Sequence, residues 1–145
     1  MVDQESFYAY LAGVIDGEGS IGLTCNNKRR NYYILQVSIG MTDFRIPKLF
    51  QKEFGGSFFI KDKQPYFRRN GENRRPLGFW GCTCQKAKKL IEKLLPYLIV
   101  KKEQAEEALK FMSEIKNNKH KKEKDLIKLN EFRLKFKKLN KRGQL

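Results

Sequence analysis

Apolar residues fill every position from Phe7 to Ile15, and glycines follow at Gly17 and Gly19. That run predicts a helix over residues 7–15, which the two glycines make costly to continue. Ala9, Ala12, Gly13 and Gly17 recur at helical spacing and leave one stripe almost without side-chain bulk, where another backbone can approach closely. Beyond this helix the period changes to alternation. Residues 20–26 predict a half-buried strand. Residues 33–41 predict a second, with Tyr33, Leu35, Val37, Ile39 and Met41 on one face and Ile34, Gln36 and Ser38 on the other. Residues 27–31 between them form a basic hairpin tip.

Ile46, Leu49, Phe50 and Phe54 then return to helical spacing, with Thr42 or Asp43 expected as cap, Pro47 tolerated in the first turn and Gly55-Gly56 as the stop. A second hairpin is predicted from strands over 57–63 and 77–84, joined by residues 64–76. Both faces of the latter strand are partly apolar, which leaves its parity open, and Trp80 is assigned to the core rather than to base stacking. Helices follow over 85–95, ended by Pro96, and over 103–116. After a charged linker at 117–124 comes a last helix over 125–140, where Leu126, Leu129, Phe132, Phe136 and Leu139 make an apolar stripe. The order predicts an α+β fold, an antiparallel sheet with a polar face and helices on its back.

At 145 residues the chain is expected to be one domain, 1–145, with a core of about 5–116 and a basic C-terminal helix of about 123–142. The net charge of +15 points to a polyanionic partner. Because the charge is spread over loops, strands and helices, nucleic acid fits better than a membrane surface. No apolar run reaches membrane-spanning length and the first residues do not resemble a signal peptide, so an intracellular location with no membrane partner is expected. Cys25, Cys82 and Cys84 make no zinc pattern and are expected to be reduced and buried, the last two on one side of a strand. His120 is the only histidine, which excludes chemistry needing a histidine pair. Carboxylates must do the work.

Asp16 and Glu18 end the first helix, where the macrodipole is already negative and each anion is unfavourable by roughly 0.3–1 kcal/mol unless a cation offsets it. One reading is a Mg²⁺-phosphate site built from hard oxygen donors; the other is ordinary helix-to-strand turn chemistry. On the first hairpin, Ser20, Thr24, Asn26, Gln36 and Ser38 are short polar groups suited to base edges in a major groove, and Lys28, Arg29 and Arg30 form its tip. The alternative for that tip is a solvated turn. Arg68, Arg69, Arg74 and Arg75, with Lys61 and Lys63 before them, suggest a second DNA-reading element. Lys135, Lys137, Lys138, Lys141 and Arg142 on and after the last helix either touch phosphates or are solvated.

The segment Leu11-Ala12-Gly13-Val14-Ile15-Asp16-Gly17-Glu18-Gly19 resembles the signature of the LAGLIDADG homing endonucleases, with Val14, Gly17 and Glu18 as the three departures among nine positions. The resemblance implies an αββαββα fold with a curved antiparallel DNA-binding sheet and extra C-terminal helices. It implies Glu18 as metal ligand and catalytic acid, the Gly17 carbonyl as companion ligand, and Asp16 beside them mainly holding the helix end. It also implies Lys101 as the active-site lysine with Lys102 as its understudy. One motif copy implies a homodimer packed through Ala9, Ala12 and Gly13. The implied activity is site-specific cleavage of a long, partly palindromic DNA duplex with short 3′ overhangs, as in intron homing. Mg²⁺ is the implied cofactor, with Mn²⁺ able to substitute, Ca²⁺ binding without supporting cleavage, and no small-molecule cofactor. The implied compartment is an organelle or a prokaryotic cytoplasm. Where the family often carries a glutamine or lysine, this chain has Gly40, Met41 and Thr42, and Arg45 is expected to reach in instead. A non-cleaving relative, such as an intron maturase or transcription regulator, would share the basic surface, as would a structural ribosomal component.

Overall fold

A computed structural model of the chain describes residues 2–30, 32–61, 75–115 and 123–141. Helix α1 spans Gln4–Glu18, longer at both ends than its apolar run. Asp3 starts it by accepting the Ser6 amide at 2.9 Å. At the other end Gly17 stays helical, and the Gly19 amide closes the last turn on the Ile15 carbonyl. Leu11, Ala12 and Ile15 are fully buried.

Strands β1 (Gly19–Asn27), β2 (Tyr32–Met41), β3 (Ser57–Lys61) and β4 (Leu77–Thr83) form one antiparallel sheet in the order β1-β2-β4-β3. Two hairpins therefore lie side by side, with β2 against β4 at the centre. Ile21, Leu35, Val37, Ile39, Trp80 and Cys82 point to the helical side and are buried. The other face carries Ser20, Gln36, Ser38, Phe79, Gly81, Thr83, Ser57, Phe59 and Lys61, aligned in register across the strands. The parity of β4 is decided by Trp80, which packs 5.1 Å from Phe50 and donates its Nε1–H to the Gly55 carbonyl at 2.8 Å. That contact needs the tight Gly55-Gly56 corner: Gly56 has φ +89°, and a Cβ there would stand 2.5 Å from the Gly81 carbonyl oxygen.

Helices α2 (Arg45–Phe54), α3 (Cys84–Leu94), α4 (Lys102–Glu114) and α5 (Glu123–Leu139) complete the described elements. The N-cap position of α2 is Phe44, which makes no side-chain cap bond; of the two expected caps it is Asp43, one residue earlier, that accepts the Arg45 amide, at 3.0 Å. Asp43 also takes the Arg45 guanidinium, and these bonds pull its carboxyl down to about 2. Cys84 does not continue the strand beside Cys82. It is the first residue of α3, half-buried, with φ 53°. Cys82 is buried, which pushes its thiol up to about 12, and Cys25 is half-buried; all three are free.

Helix α5 packs on α4, with Phe132 edge-on to Phe111 at 5.5 Å and Leu129, Phe132 and Phe136 buried. Leu126 stays partly exposed and Leu139 is half-buried, so the stripe is narrower than its spacing suggested. Lys135 reaches across to Glu107 at 2.8 Å, which holds its ammonium above the usual lysine range. Among the described residues, no helix is long and apolar enough to cross a membrane.

Candidate carboxylate cleft and nucleic-acid face

The end of α1 meets the start of α4. Asp16 accepts the Ile99 amide at 2.8 Å and the Lys101 amide at 2.9 Å, while the Lys101 ammonium donates to the Asp16 carbonyl at 2.8 Å. The carboxylate thus sits at the positive end of α4 and the ammonium at the negative end of α1, so each charge complements the opposing helix terminus. This arrangement supplies the cation that an acidic α1 terminus requires. Asp16, expected among the catalytic groups, has both oxygens taken by backbone amides and does not line the adjoining cleft.

That cleft, about 510 Å³, is lined by Gly17, Glu18, Ser20, Lys101 and Gln104, together with Asn140 and Lys141 from the end of α5. Glu18 is the last residue of α1 and is exposed. Lys102, one residue beyond Lys101, is exposed on α4 and does not line the cleft. Arg45 is likewise elsewhere: with Asp43, Lys48 and Arg75 it lines a separate groove of about 370 Å³. The Asp43 ion pair that starts α2 keeps it there. Gly40, on the open face, lies under the Phe79 ring.

Glu18 and the Gly17 carbonyl are hard oxygen donors of the kind Mg²⁺ accepts. Among the described residues, however, no group of three or more His, Cys, Asp or Glu comes together. One chain therefore offers such an ion only part of a ligand set, which waters, phosphate oxygens or a second chain would have to complete.

Lys137 and Lys141 were legible in the sequence only as members of the basic side of the last helix, and Gln104, Arg133 and Asn140 were not singled out at all. Gln104 Nε2 donates to the Leu139 carbonyl at 3.2 Å and Asn140 Nδ2 to the Ile21 carbonyl at 3.0 Å, tying the end of α5 to α4 and to β1. Arg133, stacked 4.3 Å from the Tyr33 ring, lines a hollow of about 260 Å³ with Lys137, Ser20, Gln36 and Ser38. The available signal for Arg133 was its four-residue spacing from Lys137, which puts the two cations on one line of α5. Lys138 lies off that line, exposed, and borders neither cavity.

Of the other residues expected to meet DNA, Thr24 is half-buried and Asn26 lies at an irregularity in the β1-β2 register. Lys28 and Arg29 are exposed on a single 3-10 turn that also contains Arg30. Lys61 is exposed at the end of β3. Lys63, Arg68, Arg69, Arg74 and Arg142 lie outside the described residues. On α1, Ala9, Gly13 and Gly17 are exposed, and nothing lies within 4 Å of a Cβ built on either glycine. Ala12 must be removed from this stripe: it is fully buried in the chain's own core. Tyr10 (51% exposed) extends the surface, and Ile99 (84%) and Val100 (69%) lie beside the end of α1.

No protein-family model matches the sequence, and no curated protein does. The three-dimensional arrangement does find counterparts. I-CvuI, a homing endonuclease in complex with its target in the presence of 2 mM Ca, superposes with TM-score 0.70 over 95% of this chain and 83% of its own, at 21% identity. The archaeal intron-encoded homing endonuclease I-Vdi141I, complexed with DNA, gives 0.75 over 98% and 89%, at 18% identity. The LAGLIDADG homing endonuclease I-GzeII, in complex with its DNA target, gives 0.65 over 91% of this chain, at 18% identity. This chain has the LAGLIDADG homing endonuclease fold. It spans nearly all of I-Vdi141I but 44% of I-GzeII, so the fold occurs here in a single copy. Within it, the Leu11–Gly19 motif forms the C-terminal half of α1 and its junction with β1, and Glu18 is the motif's last acid.

Proposed function

We propose that this protein is a site-specific, metal-dependent DNA endonuclease that works as a homodimer inside cells. The observation that carries the reading is the single cleft that holds Glu18 and Lys101 beside the polar face of a basic sheet. A protein that only binds nucleic acid needs no acid at that point, because a carboxylate repels phosphate. The structural counterparts I-CvuI and I-Vdi141I, described as homing endonucleases in complex with DNA, support the choice of substrate.

Glu18 and the Gly17 carbonyl would hold Mg²⁺, which Mn²⁺ can replace and Ca²⁺ can occupy without cutting. When bound, the ion supplies a water made nucleophilic near neutral pH and positive charge at the leaving oxygen. Lys101, anchored by the Asp16 carbonyl, directs a positive charge toward the phosphate as negative charge builds on it. Water adds to phosphorus and loses a proton to solvent, the bond to the 3′ oxygen breaks, and that oxygen takes up a proton from solvent, leaving a 5′ phosphate and a 3′ hydroxyl. The exposed stripe of Ala9, Gly13 and Gly17 would receive the same stripe of a second copy, and twofold symmetry would bring two Glu18 side chains toward one axis. A dimer of this kind selects a long, partly palindromic target and leaves short 3′ overhangs. Ser20, Gln36 and Ser38 face its bases, and Lys137 and Lys141 its backbone.

Incubating a randomised duplex library with the protein in Mg²⁺ and sequencing the cut ends tests this directly, with Glu18→Gln in parallel. One pseudo-palindrome with 3′ overhangs, absent from the variant, is the expected result. Selective binding without cutting by either protein would overturn the nuclease and leave a DNA-binding relative.

A further inference from the structure

The open face of the sheet is largely polar, and its two phenylalanines stand together. Phe59 on β3 stands directly opposite Phe79 on β4, with ring centroids 5.6 Å apart and planes at 15°. The next strand makes room for the pair: Gly40 is the β2 partner of Phe79, and a Cβ there would stand 2.8 Å from the Phe79 ring. Lys61 holds its ammonium 4.9 Å from the Phe79 centroid. Phe59 remains 52% exposed, so the platform is built by its neighbours without being covered by them.

We propose that Phe59 and Phe79 form a base-reading platform that receives the 5-methyl group of a thymine in the major groove of the target duplex. The inference rests on the DNA-cleaving reading and names a specificity determinant within it. Charge selects the occupant. Among the described strand residues on this face there is no Asp or Glu, Lys61 lies over the rings, and the flanking positions are Ser38, Ser57 and Gly81 on one side and Lys61 and Leu77 on the other. A face of that kind attracts a polyanion. In the major groove, base edges present donors, acceptors and one apolar feature, the thymine methyl, and only the last loses nothing against a bare aromatic surface. Cytosine, adenine or guanine edges would be desolvated there without a partner, so the pair discriminates as well as attracts.

The experiment uses the target recovered from the randomised library. Each thymine is replaced singly by deoxyuridine, which removes only the methyl, and each duplex is tested as a competitor of the parent target for the wild-type protein, Phe59→Ala and Phe59→Leu. The expected result is one thymine per half-site at which the wild type loses about fourfold on methyl removal, the worth of one buried methyl-sized group. Phe59→Ala should bind the thymine and uracil duplexes equally at that position, and Phe59→Leu should restore most of the difference. If no position shows a methyl effect that Phe59→Ala erases, the platform assignment is wrong although the nuclease stands. If the library yields no preferred site, the DNA reading fails and this inference goes with it.

Discussion

Asp16 and Lys101 hold each other in both directions: the Asp16 carboxylate takes the Lys101 amide at 2.9 Å, and the Lys101 ammonium returns to the Asp16 carbonyl at 2.8 Å. The clasp joins the end of α1 to the start of α4 and fixes the lysine at the rim of the Glu18 cleft. Asp16→Ala should therefore cost about 1–3 kcal/mol, the price of leaving two amides at a helix start unsatisfied. Asp16→Asn, which keeps one accepting oxygen, should cost less. Urea unfolding measures both, and cleavage should fall along with stability because Lys101 loses its anchor. Full stability in Asp16→Ala would mean that water replaces the carboxylate without loss.

Glu18 is exposed at the end of α1, so its replacement leaves the core intact. Glu18→Gln should reduce cutting at least about a hundredfold while target affinity changes little, since charge for the metal is lost and shape is kept. Chelating the divalent ion should stop the wild-type protein to the same extent, reversibly. Unchanged single-turnover cleavage by the variant would move the catalytic acid elsewhere.

Gly13 and Ala12 are neighbours with opposite surroundings. A Cβ on Gly13 meets nothing within 4 Å, so Gly13→Leu should fold normally and gain roughly 0.5–1 kcal/mol of helix propensity, yet fail to dimerise in sedimentation experiments. Ala12 is fully buried, and Ala12→Leu should destabilise the monomer by about 1–3 kcal/mol through overpacking. A Gly13→Leu dimer of unaltered affinity would show that the stripe is not the interface.

Asn140 and Gln104 pin the end of α5 where Lys141 borders the cleft. Lys141→Ala should slow cleavage by roughly tenfold with little effect on stability, through loss of one phosphate-facing charge. Asn140→Ala should produce a similar loss although it removes no charge. A Cβ on Gly22 would stand 3.1 Å from Asn140 Nδ2, so Gly22→Val should act as Asn140→Ala does. Rates unchanged in all three would leave the end of α5 as packing alone.

Burial keeps the Cys82 thiol protonated up to about pH 12. At pH 8 a maleimide should label Cys25 and Cys84, both half-buried, well before Cys82, which should react only on unfolding. Mass spectrometry of timed reactions distinguishes the three; early labelling of Cys82 would mean that β4 opens in the native state.

The chain by itself determined the elements, because periods of two and of 3.6 are properties of local backbone geometry. Alternation from Tyr33 to Met41 specified the buried face of β2, the apolar run announced α1, and the motif ending at Glu18 pointed to the acid. Charge pointed to the partner. What only the tertiary structure decided depends on contacts between residues far apart in sequence. Asp16 becomes a brace because Lys101 arrives from 85 positions away, and Lys141 joins the cleft because Asn140 reaches Ile21 across 119. Ala12 and Gly13 are equally small in the sequence, and only the packing of the core decides that one is covered and the other left open. The parity of β4 was balanced between two partly apolar faces until Trp80 found Phe50 and Gly55. Local pattern sets which residues can be inside; the competition among whole faces for one core sets which of them are.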